Sequence, residues 1–159
     1  MGMRTSFAQA PPRIAIETDH ASLILTVGDK QRLYQTYLGQ KLTQPADQAQ
    51  LPPGRHEAYV PAGLDNLFEP AIRLVHNDGN PSLELRYVRH HTDALANGQV
   101  HTAIELRDPR YPVDVTLHYS AYLAEDVIKT WTEIRHQEKK PLTLSRFASG
   151  MLHVEAPHY

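Results

Sequence analysis

The sequence predicts an all-β fold, an antiparallel sandwich, and three observations carry that reading. Apolar and polar residues alternate with period two over long segments. Gly, Pro and Asx clusters interrupt the alternation. The breaks recur at the spacing expected of sandwiches and barrels and leave about ten strands.

The elements follow in order. Leu23, Leu25 and Val27 alternate with Ser22, Ile24 and Thr26, and the strand closes at Val27-Gly28-Asp29-Lys30, where Gly and Asx residues suit positive φ. Thr43 to Gly54, with Pro45, Pro52 and Pro53, reads as a surface loop of about a dozen residues, a length that is often functional or disordered. Asn77-Asp78-Gly79-Asn80-Pro81 is a second turn. Leu83, Leu85, Tyr87 and Arg89 then alternate with Glu84, Arg86, Val88 and His90. Asn97-Gly98 is a strong hairpin signal. Beyond it, Val100, Thr102, Ile104 and Leu106 alternate with His101, Ala103, Glu105 and Arg107. Asp108-Pro109-Arg110-Tyr111-Pro112 ends that strand, because proline cannot donate to a ladder. Val113, Val115, Leu117, Tyr119 and Ala121 form the next apolar face. Val127, Ile128, Trp131 and Ile134 would share a helix face, but the β-branched content of the segment favours a strand. Glu138-Lys139-Lys140-Pro141 closes it.

Composition limits the function. The chain has 159 residues, 16 Lys and Arg against 18 Asp and Glu, a formal charge of −2, and no Cys. That length suits one domain. The missing cysteines exclude a disulfide scaffold, a thiolate metal site and a cysteine nucleophile. The even charge balance gives no basic stripe for nucleic acid. No apolar run approaches the roughly 20 residues needed to cross a membrane. Among the ten histidines there is no H-x-x-x-H or H-E-x-x-H, and His90 and His91 point to opposite faces of a strand, so no metal site is expected. Phosphate-binding glycine loops and a G-x-S-x-G elbow are absent. Glu57, Asp65, Glu69, Glu125 and Asp126 are candidate carboxylates, but no spacing joins two of them across one sugar. Tyr34, Tyr37, Tyr59, Tyr87, Tyr111, Tyr119, Tyr122 and Trp131 suit sugar stacking or core packing equally. The residues alone therefore yield a β-sandwich without a catalytic constellation.

Several strings carry a resemblance. They are Arg32-Leu33-Tyr34-Gln35-Thr36-Tyr37-Leu38-Gly39, Glu57-Ala58-Tyr59 leading through Gly63 and Asp65 to Glu69-Pro70-Ala71, and His76-Asn77-Asp78-Gly79-Asn80-Pro81. Leu85-Arg86-Tyr87, Ile104-Glu105-Leu106-Arg107-Asp108-Pro109, Val115-Thr116-Leu117-His118-Tyr119 and Trp131-Thr132-Glu133-Ile134 follow. In this order the chain after Ile14 resembles the amino-terminal β-supersandwich, of galactose mutarotase-like type, of the α-galactosidases of glycoside hydrolase family 36, especially gut-bacterial members. The resemblance implies a retaining enzyme that hydrolyses terminal α-galactosides such as melibiose and raffinose. Both of its catalytic Asp residues would belong to a separate (β/α)₈ barrel, so this chain alone is expected to be inactive.

The implied partners are that barrel, the galactoside substrate and further copies in a homo-oligomer. No cofactor is implied, since oxocarbenium chemistry runs on carboxylates. Glu57, Tyr59 and Asp65 are the implied substrate contacts, donated to a neighbouring subunit's site; as residues alone they also read as structural turn residues. The family's aromatic-Gly-x-x-Asp-aromatic stretch is altered here, with Ala62 before Gly63 and Leu67 before Phe68, and the loop Thr43 to Gly54 is short. Residues 1–12 are expected to be a leader, with Met1-Gly2-Met3 as an added start. Ala8-Gln9-Ala10 has the small-x-small pattern of a signal-peptidase site without the apolar region before it. A signal remnant there means a periplasmic or secreted protein, and otherwise a cytoplasmic one. Residues 13–159 are expected to be the sandwich, cut before the barrel. Two other readings stay open: a free-standing carbohydrate-binding module, and a structural domain whose apolar face normally sits on a partner.

Overall fold

The computed structural model describes residues 12–154, so the expected leader up to residue 11 and the last five residues lie outside the described part. One antiparallel sheet holds β1 (Arg13–Glu17), β2 (Ala21–Val27), β3 (Leu33–Gln40) and β4 (His56–Glu57), in that order. A second holds β6 (Arg86–Leu95), β7 (Gln99–Arg107), β8 (Val113–Tyr122) and β9 (Val127–His136), also in chain order. A two-stranded ribbon pairs β5 (Ile72–Val75) with β10 (Thr143–Phe147). The expected all-β sandwich of about ten strands is what forms, and the ambiguous segment around Trp131 is the strand β9.

Period two explains the layers. Ile14, Ile16, Leu23, Leu25 and Val27 from the first sheet share one core with Ile104, Leu106, Val113, Val115 and Leu117 from the second and with Ile72 and Leu74 of the ribbon. Each such side chain, once removed from water, contributes about 1.5–3 kcal/mol. The other face of β2 is also buried, Ile24 being 1% exposed. The chain after β3 is tied back across this end of the sheet: the Leu42 amide donates to Ser22 Oγ and Lys41 Nζ to the Thr18 carbonyl. The Thr43–Gly54 segment, expected as plain loop, contains one helical turn, α1 (Pro45–Ala49), with Pro45 at its start, where a missing N–H costs nothing.

Two local expectations are corrected. The alternation from Leu83 to His90 does not run through one strand. Leu83 and Leu85 are buried ahead of the ladder, and a bulge at Val88 switches the faces, so that Tyr87 and His90 sit opposite Leu106 and Ile104 while Arg89 sits opposite Glu105. After β2, positive φ falls on Lys30 (55°) and Gln31 (60°), not on Gly28. Gly28 instead makes room for the Tyr34 ring, which a Cβ there would approach to 2.8 Å and push aside.

Candidate functional site

The residues singled out in the sequence converge on one end of β3 and β4. The turn after β2 delivers Arg32 to the start of β3, and β4 pairs Glu57 with Tyr34. A single nitrogen of Arg32, Nη1, donates to Glu57 Oε1 at 3.2 Å and to Asp65 Oδ1 at 2.9 Å. Asn66 Nδ2 donates a longer bond to the same Glu57 oxygen, and Asn66 Oδ1 accepts from the Phe68 amide, closing an Asx turn. The chain between β4 and β5 is thereby folded over Arg32 and projects Leu67 and Phe68 outward, 102% and 49% exposed.

Electrostatics separate the two carboxylates. Glu57 is 7% exposed at its side chain and Asp65 66%. Burial pushes the Glu57 carboxyl above its ordinary pKa against the pull of Arg32. The hydrogen bond from Arg32, then its charge, hold the Asp65 carboxyl below the usual range. For Arg32 burial acts to lower the pKa, but the bond to Asp65 and the charge of Glu57 prevail and raise it. Among the described residues Arg32 Nε is buried without a hydrogen-bond partner. A shallow cleft of about 450 Å³ opens here, bordered by Tyr34, Arg55, Asp65 and Phe68.

Tyr59 is placed elsewhere. It is 3% exposed within the core, and its hydroxyl donates to the Ala148 carbonyl at 2.8 Å. Burial raises its pKa. The structure thus joins Glu57 to Asp65 through Arg32 and sets Tyr59 beneath them as a packing residue. Arg32 is not legible as a site residue from the sequence, since its two carboxylate partners lie 25 and 33 positions away. Beside the cleft, Gln35 binds the main chain of His153 at both ends of its amide, and the His153 and His56 rings stack 4.5 Å apart.

Of the other sequence candidates, Glu125 is exposed, and the following have structural partners. Glu69 pairs with Arg146, and Asp126 accepts from Thr18 Oγ1 and from both the amide and the ring of His20. Tyr119 is core, Tyr111 stacks on His76 at 3.6 Å, and Trp131 stands in a row with His118 and His101 across three strands, its ring 4.7 Å from that of His118. His76 is itself enclosed: Nδ1 is 2.6 Å from Glu138 Oε1 and Nε2 is 3.1 Å from the Ser82 carbonyl oxygen. Among the described residues no group of three or more His, Asp or Glu side chains is placed to hold a metal ion, and no helix is long and apolar enough to cross a membrane.

Residues 30–159 match the sequence model of the glycosyl hydrolase family 36 N-terminal domain. Among solved structures the chain is similar to the α-galactosidase from Lactobacillus brevis, with TM-score 0.73 and 19% identity over 87% of this chain and 23% of that one. It is also similar to a family 36 α-galactosidase AgaA variant from Geobacillus stearothermophilus in complex with raffinose, with TM-score 0.74 and 18% identity over 87% of this chain and 24% of that one. AgaB from the same organism gives 0.73 and 19%, over 89% and 24%. At such identities the likeness fixes the fold. The chain spans about a quarter of the length of those enzymes. A search among curated proteins finds no match.

Proposed function

The chain belongs to the glycosyl hydrolase family 36 N-terminal domain family, and from that membership we propose that it is the non-catalytic sandwich of an α-galactosidase. In that role it packs on a separate catalytic barrel, supports a homo-oligomer and shapes the rim of a galactoside site. The observation that carries this reading is the family match over residues 30–159 in a chain that spans about a quarter of enzymes of that activity.

Retaining hydrolysis of an α-galactoside needs one carboxylate as nucleophile and a second as acid and then base, about 5–5.5 Å apart across the sugar. In this proposal both belong to the barrel. Glu57 and Asp65 meet on one Arg32 nitrogen, at 3.2 and 2.9 Å, and as a pair of carboxylates they resemble that arrangement in number. Their chemistry does not. The guanidinium fills the gap a sugar ring would need and offsets both charges. Glu57 is shut from solvent, and Asp65, held ionised, cannot deliver a proton to a leaving group. The pair anchors a loop.

That loop supports the rim role. The bonds of Asp65 and Asn66 hold it in place, and Phe68, edge-on to the His56 and His153 rings, still leaves about half its surface in solvent beside the ionised Asp65. An apolar ring next to a carboxylate suits a sugar, whose C–H face stacks while its hydroxyls donate. In this reading Asp65 and Phe68 meet the substrate, Glu57 acts through Arg32, and Tyr59 holds the underlying backbone.

A chromogenic α-galactoside tests the first part. The purified 159-residue chain should show no turnover above buffer, and sustained turnover would overturn the assignment. In the full-length enzyme, Phe68→Ala should raise KM for raffinose while leaving kcat on a small aryl galactoside unchanged; an unaltered raffinose KM removes the rim role.

A further inference from the structure

The second sheet ends on β6, and among the described residues no strand pairs with its outer edge. An edge of ten residues presents a row of N–H and C=O groups without ladder partners, which proteins commonly blunt with charged side chains, Lys above all, with Pro or with bulges. β6 contains neither Lys nor Pro. Its one bulge lies at the Tyr87 end, leaving Arg89 to Leu95 in unbroken register with β7. All of that stretch except half-buried His90 is exposed.

The side chains on this edge complement themselves. Arg89, His91 and Asp93 share the outer face of the sheet, opposite Glu105, Ala103 and His101 of β7. Arg89 and Asp93 flank His91 symmetrically and carry opposite charges. If β6 is laid antiparallel against another β6 about His91, Arg89 of each copy falls opposite Asp93 of the other, and His90 opposite Thr92. Sliding the pair to centre on His90 or Thr92 sets Arg89 against His91 or Leu95 instead, so the register about His91 is the one that pairs Arg89 with Asp93 twice. Both groups can reach across: the Arg89 side chain is 72% exposed and bonds Glu105 through Nε, leaving its Nη groups to extend outward, and the Asp93 side chain is 63% exposed, with only a long 3.9 Å contact to His91 Nε2 on its own strand.

We propose that β6 is the docking edge for a second copy of this chain, the two sheets joining across a twofold axis into one of eight strands. Such an isologous contact uses the same strand twice. It makes specific the oligomer support in the function proposed above. Its test reads assembly and not hydrolysis, so the two readings fail separately.

Sedimentation of the 159-residue chain supplies the test, with thermal melting to confirm that each variant folds. The wild type should dimerise at hundreds of micromolar. Asp93→Arg sets Arg against Arg at both symmetric positions and should weaken the dimer about tenfold or more. Arg89→Glu, made with Glu105→Arg to keep the local ion pair, sets Glu against Asp with the same result. An equimolar mixture of these two variants restores both opposite-charge pairs and should form a heterodimer. A monomeric wild type, an Asp93→Arg chain that assembles as before, or folded variants that fail to combine on mixing would each overturn the proposal.

Discussion

Gln35 grips the main chain of His153 with both ends of its amide: Nε2 donates to the His153 carbonyl at 2.6 Å, and Oε1 accepts from the His153 amide at 3.0 Å. The side chain thus does for one residue what a neighbouring strand does along a ladder. The His153 ring adds a bond from Nε2 to the Glu57 carbonyl, so β3, β4 and the segment around His153 are held as one unit beside the Arg32 cluster.

Gln35→Ala should free that segment. Two hydrogen bonds are lost at about 0.5–1.5 kcal/mol each. Hydrogen exchange read by mass spectrometry should show faster exchange at residues 151–154, with the β7 and β8 core unchanged. Equal protection in variant and wild type would mean that the segment is held by packing alone. Gln35→Glu should be worse than alanine, because it sets a carboxylate oxygen against the His153 carbonyl.

Arg32→Met tests the charge cluster. It leaves Glu57, only 7% exposed, without its counter-charge, and removing one partner of such a pair costs about 3 kcal/mol where the site is well buried. Burial already raises the Glu57 pKa, so the variant should raise it further. A carboxyl whose folded pKa lies above its unfolded value favours folding at low pH and loses that contribution as pH rises. The variant should therefore regain part of its lost stability on acidification, and Arg32→Met/Glu57→Gln should recover most of it at neutral pH. A deficit that stays constant across pH would place the damage in packing.

These two examples also mark what the sequence makes legible. The alternation along β7 and β8 sorts core from surface because the two faces of that sheet meet different media. The β-branched run in β9 correctly outweighs its helical spacing. The faces of Arg89 and His90 are not legible, because one extra residue at Val88 inverts the pattern and no local residue type announces it. The positive φ at Lys30 and Gln31 is equally hidden: both are exposed, and the turn is closed by backbone bonds between Gly28, Asp29 and Arg32 that no residue type here announces. Pairings between distant residues are invisible as well: Arg32 meets Asp65 across 33 positions, His76 meets Glu138 across 62, and Gln35 meets His153 across 118. Local propensity carries no information about such partners, so the site is legible only as isolated carboxylates.

Glu138 predicts acid sensitivity of the opposite sign to Glu57. Burial alone would raise its pKa, but the hydrogen bond from His76, with those from Asn77, prevails and lowers it. A carboxyl with a depressed folded pKa stabilises the fold above its unfolded pKa, near 4.5, and that contribution disappears as pH falls through the lower, folded value. Asp126 and Asp78 are depressed as well, by bonds led by Thr18 and by the Asn80 amide respectively, and add in the same direction. Thermal melting should thus fall steadily on acidification below about pH 5. In Glu138→Gln the slope should be shallower and the neutral-pH melting point lower. An unchanged slope would show that Glu138 is not depressed in the folded chain.

Two glycines with the same backbone angle separate strain from space. Gly63 and Gly79 both sit at φ +88°, a region that costs a residue bearing a Cβ about 1–2 kcal/mol. At Gly79, in the turn after β5, an added Cβ meets nothing within 4 Å, so Gly79→Ala should cost only that strain. At Gly63 the same atom would lie 2.7 Å from Ser82 Cα and 2.9 Å from the Pro81 carbonyl oxygen. Those are backbone atoms next to Leu83, which is fully buried, and they cannot swing aside as a side chain can. Gly63→Ala should therefore add an overpacking cost of about 1–3 kcal/mol to the strain. It should also shift the loop that carries Asp65 and Phe68. Urea titration of the two variants gives the comparison directly. If Gly63→Ala proves no more costly than Gly79→Ala, the segment around Ser82 yields, and the Asp65 loop is not fixed from below as its geometry implies.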